Sequence, residues 1–213
     1  MATDISKYRQ NLFDIKKRVE VISEHLQGIR NTKYLITEVE FLCLQFRKVL
    51  ELIALSSLIA NKDEYSKVHE KFAKHYNARL IFQDLERINP EFYPIPSEQK
   101  LKMVDGKKVY DLEIINENYL TKEDFLLVYE KCGGLLHAEN PYGHKRDLKA
   151  IKLEFPVWKD KIIVLLNHHS ITLVDNETLI IGLMEGKGDG LPYAFEFKKL
   201  NDTDANSIKE GMK

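Results

Sequence analysis

Residues 5–29 of the chain read ISKYRQNLFDIKKRVEVISEHLQGI, and this stretch decides the first half of the fold. Apolar residues recur through it in steps of three and four, which is the spacing of one face of an amphipathic helix. The positions on this face are Ile5, Tyr8, Leu12, Ile15, Val19, Ile22, Leu26 and Ile29. This unbroken seam, which either Thr3 or Asp4 can cap, predicts a helix of about four heptads.

The seam has two interpretations. It forms a dimerising coiled coil, or it packs against the next helix of the same chain. Residues 30–33 make a short link, and the segment that follows, residues 34–61, is apolar over a wide arc. We therefore expect an antiparallel helical hairpin, with other faces still available for a dimer.

A third helical region covers residues 63–89, with a break near Asn77. It ends before Pro90, because the residue that precedes a proline avoids helical geometry. Asp105 and Gly106 then stand between apolar pairs, and this arrangement is typical of a two-residue β-hairpin turn.

Another helical face contains Trp158 and His169. Pro156 is expected near the start of this helix, because proline is favoured in the first helical turn. Adjacent residues cannot share one helical face, so we expect His169 to turn inward and His168 to be exposed.

Three apolar runs that favour β-structure close the chain, at residues 171–174, 178–184 and 193–200, and they predict an antiparallel meander. The glycine-rich link 186–190 lies between two of these strands. We interpret it as a hairpin connection, because a phosphate-binding loop leads from a strand into a helix. Helices first, strands last and no internal repeat predict an α+β fold that is mostly α.

A chain of 213 residues suits one domain. We expect a helical bundle over residues 1–168, with a β-hairpin inserted near residues 100–113. The meander over residues 169–200 is appended to the same domain, and residues 201–213 form a flexible tail.

The charge balance and the cysteines narrow the function classes. The 32 basic and 33 acidic residues leave a formal net charge of −1, so no global field steers the chain to nucleic acid or anionic lipid.

The most apolar stretch, residues 39–60, is interrupted by charged side chains and predicts a buried helix instead of a membrane span. Cys43 and Cys132 lie in helical patterns, and residues 1–10 lack the apolar core of a secretory signal. We expect a cytoplasmic protein with reduced thiols and no membrane partner.

Glu40, Arg47 and Glu51 fall on one stripe of the second predicted helix, because they are seven and four residues apart. Such a stripe can bind a ligand or hold a catalytic carboxylate pair. Partly buried charges need partners in any fold, however, so we expect a structural ion cluster in which Arg47 reaches Glu51 one turn on.

Candidate chemistry concentrates where the helix that begins with a capping box at Thr121 comes to its end. Lys131 lies in this helix, and His137, near its end, can act as a general base or cap the last carbonyl groups. The residues that follow predict a phosphate-binding surface with an aromatic platform, or else solvated lysines balanced by nearby acids. They are Tyr142, His144, Lys145, Arg146 and Lys149. No ligand spacing diagnostic of a metal occurs, so we expect neither a metal nor a cofactor.

Residues 41–62, FLCLQFRKVLELIALSSLIANK, and residues 134–141, GLLHAENP, resemble an uncharacterised family of bacterial helical proteins that has no known activity. A basic residue several positions before a helix-terminal histidine is similar to the motif of HEPN-type ribonucleases, which are small helical bundles of toxin and anti-phage systems. This resemblance implies that Lys131, in place of that family's Arg, stabilises phosphate charge and that His137 assists attack by a ribose hydroxyl. It implies a metal-independent ribonuclease, usually with a site shared across a dimer.

We therefore expect a binding or assembly subunit of a larger bacterial system, with a protein partner or a second copy and without catalytic activity of its own. The absence of a strong catalytic motif favours this function. The alternative is a HEPN-like ribonuclease centred on His137, with RNA as its substrate. The cluster of Lys131, His137 and His144 is the feature that favours the alternative.

Overall fold

The computed structural model of the chain describes residues 4–68, 77–104 and 107–198. Six helices and five strands occur within these residues. The helices are α1 (Ile5–Leu26), α2 (Leu35–Ala60), α3 (Lys62–Val68), α4 (Ala78–Ile88), α5 (Lys122–Leu135) and α6 (Leu148–Asn167), and the strands are β1 (Ile95–Val104), β2 (Lys107–Ile114), β3 (His168–Thr172), β4 (Thr178–Leu183) and β5 (Tyr193–Lys198). The predicted α+β class, mostly α, is confirmed.

Helices α1 and α2 form the predicted antiparallel hairpin. Asn11 near the start of α1 bonds to Ser56 near the end of α2 at 3.3 Å, and Arg18 bonds to Gln45 at 2.8 Å. The fully buried residues of the α1 seam are Tyr8, Leu12, Ile15 and Ile22. The seam is therefore filled from within the chain, and Ile29, beyond the end of α1, is exposed.

The third helical region divides at the predicted break. Asn77 caps α4, because its side-chain oxygen accepts hydrogen bonds from the backbone N–H groups of Arg79 at 3.0 Å and Leu80 at 3.4 Å. The predicted apolar positions Phe72 and Tyr76 lie outside the described residues. The shorter α3 and α4 then pack beside the central helix α2.

The capping box at the start of α5 is confirmed. The Thr121 hydroxyl accepts from the backbone N–H of Asp124 at 3.1 Å, and the Asp124 carboxylate accepts from the backbone N–H of Thr121 at 3.4 Å. These reciprocal bonds satisfy two donors that the first helical turn cannot pair internally. Helix α5 ends at Leu135, so His137 lies just beyond it.

The prediction that Pro156 stands near a helix start is wrong. Helix α6 begins at Leu148, capped by Asp147, and Pro156 lies in its interior. An interior proline costs about 3 kcal/mol. Ile151 and Phe155, which precede it, are buried in the core, and burying two such side chains contributes about 3–6 kcal/mol. The core contact therefore outweighs the local preference.

The strands form one five-stranded antiparallel sheet of order β2-β1-β3-β4-β5. The predicted hairpin is longer than expected, and Val104 pairs with Lys107, which leaves a two-residue connection at its tip. Strand β1 also pairs with β3, through Ile95 with Ser170. The hairpin and the meander therefore share a sheet, which the sequence did not predict. The predicted tail, residues 201–213, lies outside the described residues.

The two faces of this sheet have different neighbours. The inner face carries His169, Ile171, Ile180 and Gly182, which are buried against α1 and α6. The outer face carries the alternate residues of the same strands, because successive side chains of a strand point to opposite sides. His169 contacts the Tyr8 hydroxyl of α1 and the carbonyl oxygen of Leu166 in α6, so both helices lie on the inner side of β3.

Candidate functional site

The buried polar group of the inner face is structural. His169 lies on β3, with its Nδ1 2.9 Å from the carbonyl oxygen of Leu166 and its Nε2 2.7 Å from the Tyr8 hydroxyl. Because a carbonyl can only accept, Nδ1 donates and the Tyr8 O–H donates to Nε2. Burial lowers the pKa of His169 to about 4, so the ring is neutral. Gly182 faces this ring across the strand pair, because a Cβ at that position would overlap Cε1 of the ring.

His168 is buried too, and the prediction that it is exposed is wrong. The histidine pair lies on a strand and not on a helix, so each ring faces a different side of the sheet. Nδ1 of His168 lies 2.7 Å from the Ser97 hydroxyl, on the outer face. Its Nε2 is buried and has no hydrogen-bond partner among the described residues. Burial lowers the pKa of His168.

Lys131 is engaged within the fold. Its ammonium lies 2.6 and 2.7 Å from the two carboxylate oxygens of Glu154 and 5.7 Å from the centre of the Trp158 ring. This contact ties α5 to α6. A lysine held by both oxygens of a carboxylate is poorly placed to stabilise a phosphate, because the carboxylate repels the same anion.

Arg146, predicted to bind phosphate, caps the end of α5. Its guanidinium donates to the carbonyl oxygens of Gly134 at 3.0 Å, His137 at 3.0 Å and Leu135 at 3.3 Å. The last carbonyl groups of a helix lack internal partners and carry partial negative charge, so a cation is stabilising there. In the structure, Arg146 takes the capping role that the sequence allowed for His137.

The remaining predicted site residues are exposed on the segment between α5 and α6 or in the first turn of α6. His137 follows α5 and is solvent-exposed, and Tyr142 is 96% exposed. None of these side chains has a hydrogen bond or an ion pair with a described residue. They are His137, Tyr142, His144, Lys145 and Lys149. The structure therefore places them on one exposed segment but does not hold them in a defined constellation.

Arg47 and Glu51 do form an ion pair, with Nε and Oε1 3.3 Å apart. The guanidinium also donates to the Tyr129 hydroxyl at 2.6 Å and lies over the Tyr129 ring at 3.9 Å. Gly133 allows this approach, because a Cβ there would lie 2.6 Å from Nη1 of Arg47. Glu40 makes no ion pair within the described part of the chain. The contacts join α2 to α5. They also explain why position 133 has a glycine, since a larger residue would meet the Arg47 guanidinium.

Cys43 and Cys132 are free, buried thiols, one on α2 and the other on α5. The Cys43 thiol and burial raise the pKa of the Cys132 thiol, which makes it unreactive at neutral pH. Among the described residues, no three His, Cys, Asp or Glu side chains cluster as a metal site requires. In the same residues we find no helix with the length and apolarity needed to cross a bilayer.

No family model, curated protein or solved structure matches this chain. The function must therefore be inferred from its own surfaces.

A groove of about 530 Å³ runs between α1, α6 and the end of β4. Its floor includes Val19 and Ile162. Lys16 also lines it, and its ammonium is bound to the Glu185 carboxylate at 2.8 Å and to the carbonyl oxygen of Gly190 at 2.7 Å. These contacts hold the connection between β4 and β5 against α1, so the lysine at the rim has a structural role.

The largest exposed apolar surface of the sheet lies on its outer face. Strand pairing shows which residues lie on this face. The Ser170 side chain points away from the side on which His169 and Ile171 are buried. Ser170 pairs with Ile181, and Ile181 pairs with Phe195, so all three lie on the outer face. The most exposed apolar side chains of this face are Leu101 and Met103 in β1, Leu112 and Ile114 in β2, and Phe195 and Phe197 in β5. Leu179, Ile181 and Leu183 of β4 lie between them and are half-buried.

The outer face also has almost no charge. The strand register puts one charged residue on it within the described residues, Lys108 at the hairpin tip. Its polar residues are otherwise uncharged: Ser97, Gln99, His168, Ser170 and Thr172. The opposite side of the hairpin is charged and solvated, with Lys100 paired to Glu113 and Lys102 paired to Asp111. The hairpin therefore presents its apolar side to solvent together with the rest of the outer face.

The sequence contains a signal for this surface, although the patterns considered above do not predict it. Leu101 and Met103 alternate with Lys100 and Lys102, and residues 193–198 alternate in the same way. Alternation predicts a strand with one apolar side, and the usual inference is that this side faces the core. Here the helices cover the other side of the sheet.

Proposed function

We propose that this chain is a cytosolic binding or assembly subunit of a larger bacterial system, without catalytic activity of its own. Its contact surface is the outer face of the sheet, and its partner is a protein.

The observation that supports this function is the exposed, nearly uncharged apolar outer face. Monomeric soluble proteins rarely expose a contiguous apolar patch larger than a few hundred Å², and larger patches mark interaction sites. Depletion of charge is typical of the centre of a protein interface. Leu101 is 51% exposed and Ile114 60% on the hairpin, and Phe195 is 45% exposed on the opposite edge strand, so exposed apolar side chains lie on both sides of the polar central strand β3.

A reducing compartment suits the two cysteines. Cys43 and Cys132 are both buried, and glutathione and thioredoxin keep thiols reduced in the cytosol. A binding role also agrees with the contacts of two predicted site residues. Lys131 is paired with Glu154 and Arg146 donates to backbone carbonyl groups, so both cations stabilise the fold.

Affinity capture from the native cell tests the proposal. A tagged wild-type chain is compared with the double variant Ile114→Ser, Phe195→Ser, and co-purifying proteins are quantified by mass spectrometry. We expect at least one protein, or the untagged chain itself, to be depleted with the variant, because the substitutions remove the apolar contacts of the outer face.

The matched control is the double variant Leu127→Ser, Leu80→Ser. These residues are 59% and 53% exposed, similar to the outer-face pair, but they lie on α5 and α4. The control should retain the same proteins as the wild type. Identical losses with both double variants, or no loss with either, would contradict the outer face as the contact surface.

The HEPN-like ribonuclease stays a prediction with its own test. Purified chain is incubated with a panel of single-stranded RNAs in the presence of a chelator, because attack by a 2′-hydroxyl assisted by histidine needs no divalent ion. We expect no cleavage. Cleavage by the wild type that is lost in His137→Ala would replace the binding function by the enzyme, and Lys131→Arg would then show whether a guanidinium increases the rate.

A further inference from the structure

We infer that the partner of the outer face is a second copy of this chain, and that two sheets stack face to face in a two-fold dimer. The inference rests on the proposed function, because it names the partner of the same surface. In a two-fold interface the same patch serves both subunits, so one self-complementary surface is sufficient.

The charge pattern favours a second copy. Charged partners are selected by complementary charge. Among the described residues, the strand register places one charged side chain on the outer face, Lys108 at the tip of the hairpin, and the Arg9 guanidinium lies over the Tyr193 ring at the β5 edge. Two apolar, uncharged faces need no such complementarity. The formal net charge of −1 for the whole chain also means that two copies repel each other only weakly.

The size of the face is sufficient for a stable dimer. Strands β1 and β3 pair over two residues only, so the hairpin and the meander overlap at one corner of the sheet. At about 3.3 Å per residue and about 4.8 Å per strand, the five strands together cover roughly 550 Å². The accessible area is larger because side chains project from the sheet. Specific interfaces bury about 800 Å² per partner. Stacked sheets lie about 10 Å apart, which suits interdigitation of Leu, Ile and Phe side chains.

The chain beyond β5 is a poor alternative occupant. Residues 199–213 read KLNDTDANSIKEGMK, in which charged and polar residues predominate. Burying these side chains against the uncharged outer face would cost more than their few apolar residues contribute.

Sedimentation velocity over a range of protein concentrations tests the dimer. We expect the wild type to show a reversible monomer–dimer equilibrium. Leu101→Lys and Phe195→Lys, at opposite ends of the face, should each raise the dimer dissociation constant at least about 100-fold, because each buries an unpaired ammonium in the interface. Circular dichroism shows whether each variant is folded, and either one alone is decisive.

The control variants are Leu127→Lys and Leu80→Lys, which should dimerise as the wild type does. A wild type that stays monomeric throughout overturns the inference. So does a dimer that survives both outer-face lysines.

A thiol-labelling experiment gives a second measurement. Ser170→Cys introduces an accessible thiol on the outer face of β3, while both native cysteines are buried. We expect maleimide to label it more slowly as the protein concentration rises, and Leu127→Cys to show no such dependence. If the labelling rates of Ser170→Cys and Leu127→Cys depend on protein concentration in the same way, the inference is overturned.

The capture experiment separates the two claims. If the wild type is monomeric and the Ile114→Ser, Phe195→Ser variant still loses a different protein, the second copy is wrong and the binding function stands. If neither self-association nor capture responds to outer-face substitutions, both the second copy and the proposed surface are wrong.

Discussion

The inner and outer faces of the sheet place similar residues in opposite environments. On the inner face Ile171 and Ile180 are fully buried, and both ring nitrogens of His169 have hydrogen-bond partners. On the outer face Phe195 is 45% exposed, and so are Leu101 and Ile114, at 51% and 60%. The difference shows that the inner face stabilises the single chain, whereas the outer face leaves apolar area exposed to solvent.

Among the changes that test this comparison, Gly182→Ala is expected to have the largest effect on the free energy of unfolding. The added Cβ would overlap the His169 ring, which is fixed by two hydrogen bonds, so we expect destabilisation of about 3 kcal/mol. Gly134→Ala is the control, because nothing lies within 4 Å of its Cβ position and alanine favours the helix. Denaturant unfolding measures both. Equal stability of the two variants would show that the inner face is not closely packed at His169.

Acidification is expected to have the second largest effect on stability, through His169 on the inner face. The pKa of His169 is about 4 in the fold and 6.5 in the unfolded chain, so the unfolded chain binds more protons between these values. Stability is therefore complete above about pH 7 and falls as the pH decreases toward 4. We expect a loss of roughly 2 kcal/mol between pH 7.5 and 5 from this residue. The loss is measured as the difference in pH dependence between wild type and His169→Asn, and parallel curves would contradict the buried neutral ring.

A smaller effect is expected from Tyr8→Phe. The substitution leaves Nε2 of His169 without a donor in a buried place, which costs about 1–2 kcal/mol. Tyr193→Phe is the matched change at the sheet edge, where the hydroxyl bonds to exposed Asp189, and it should alter the free energy of unfolding by less than about 0.5 kcal/mol. A reversed order of the two variants would contradict the structural role of the Tyr8–His169 pair.

The smallest effect on the stability of the single chain is expected on the outer face. Phe195→Ser should change the free energy of unfolding by about 1 kcal/mol or less when measured at concentrations where the chain is monomeric, because the side chain is 45% exposed and its described ring contacts are with Tyr193 and Phe197 of the same strand. A loss of several kcal/mol under those conditions would mean that Phe195 belongs to the core.

Local patterns predicted most of the helices and strands. The α1 seam, the break at Asn77 and the Thr121 capping box depend on spacing and on hydrogen bonds within one turn, which the sequence contains. Pro156 was placed wrongly because the core contacts of Phe155 are made with distant residues and override a local preference.

The candidate site was less predictable for the same reason. The sequence does not show that Glu154 reaches Lys131 or that Arg146 reaches the end of α5, because both contacts depend on how α6 packs. Alternation in β1 identified two sides of a strand, but which side the helices cover is decided by the connections of the whole sheet. The exposure of the outer face therefore follows from the tertiary structure and not from the strand pattern alone.

The thermal unfolding midpoint as a function of protein concentration tests the central claim most directly. Association of folded chains raises the midpoint as concentration rises, because the dimer binds only the folded state. We predict such a rise for the wild type and a constant midpoint for Phe195→Lys, with the two curves converging at low concentration. The same concentration dependence in both proteins would contradict the outer face as the surface through which this chain associates.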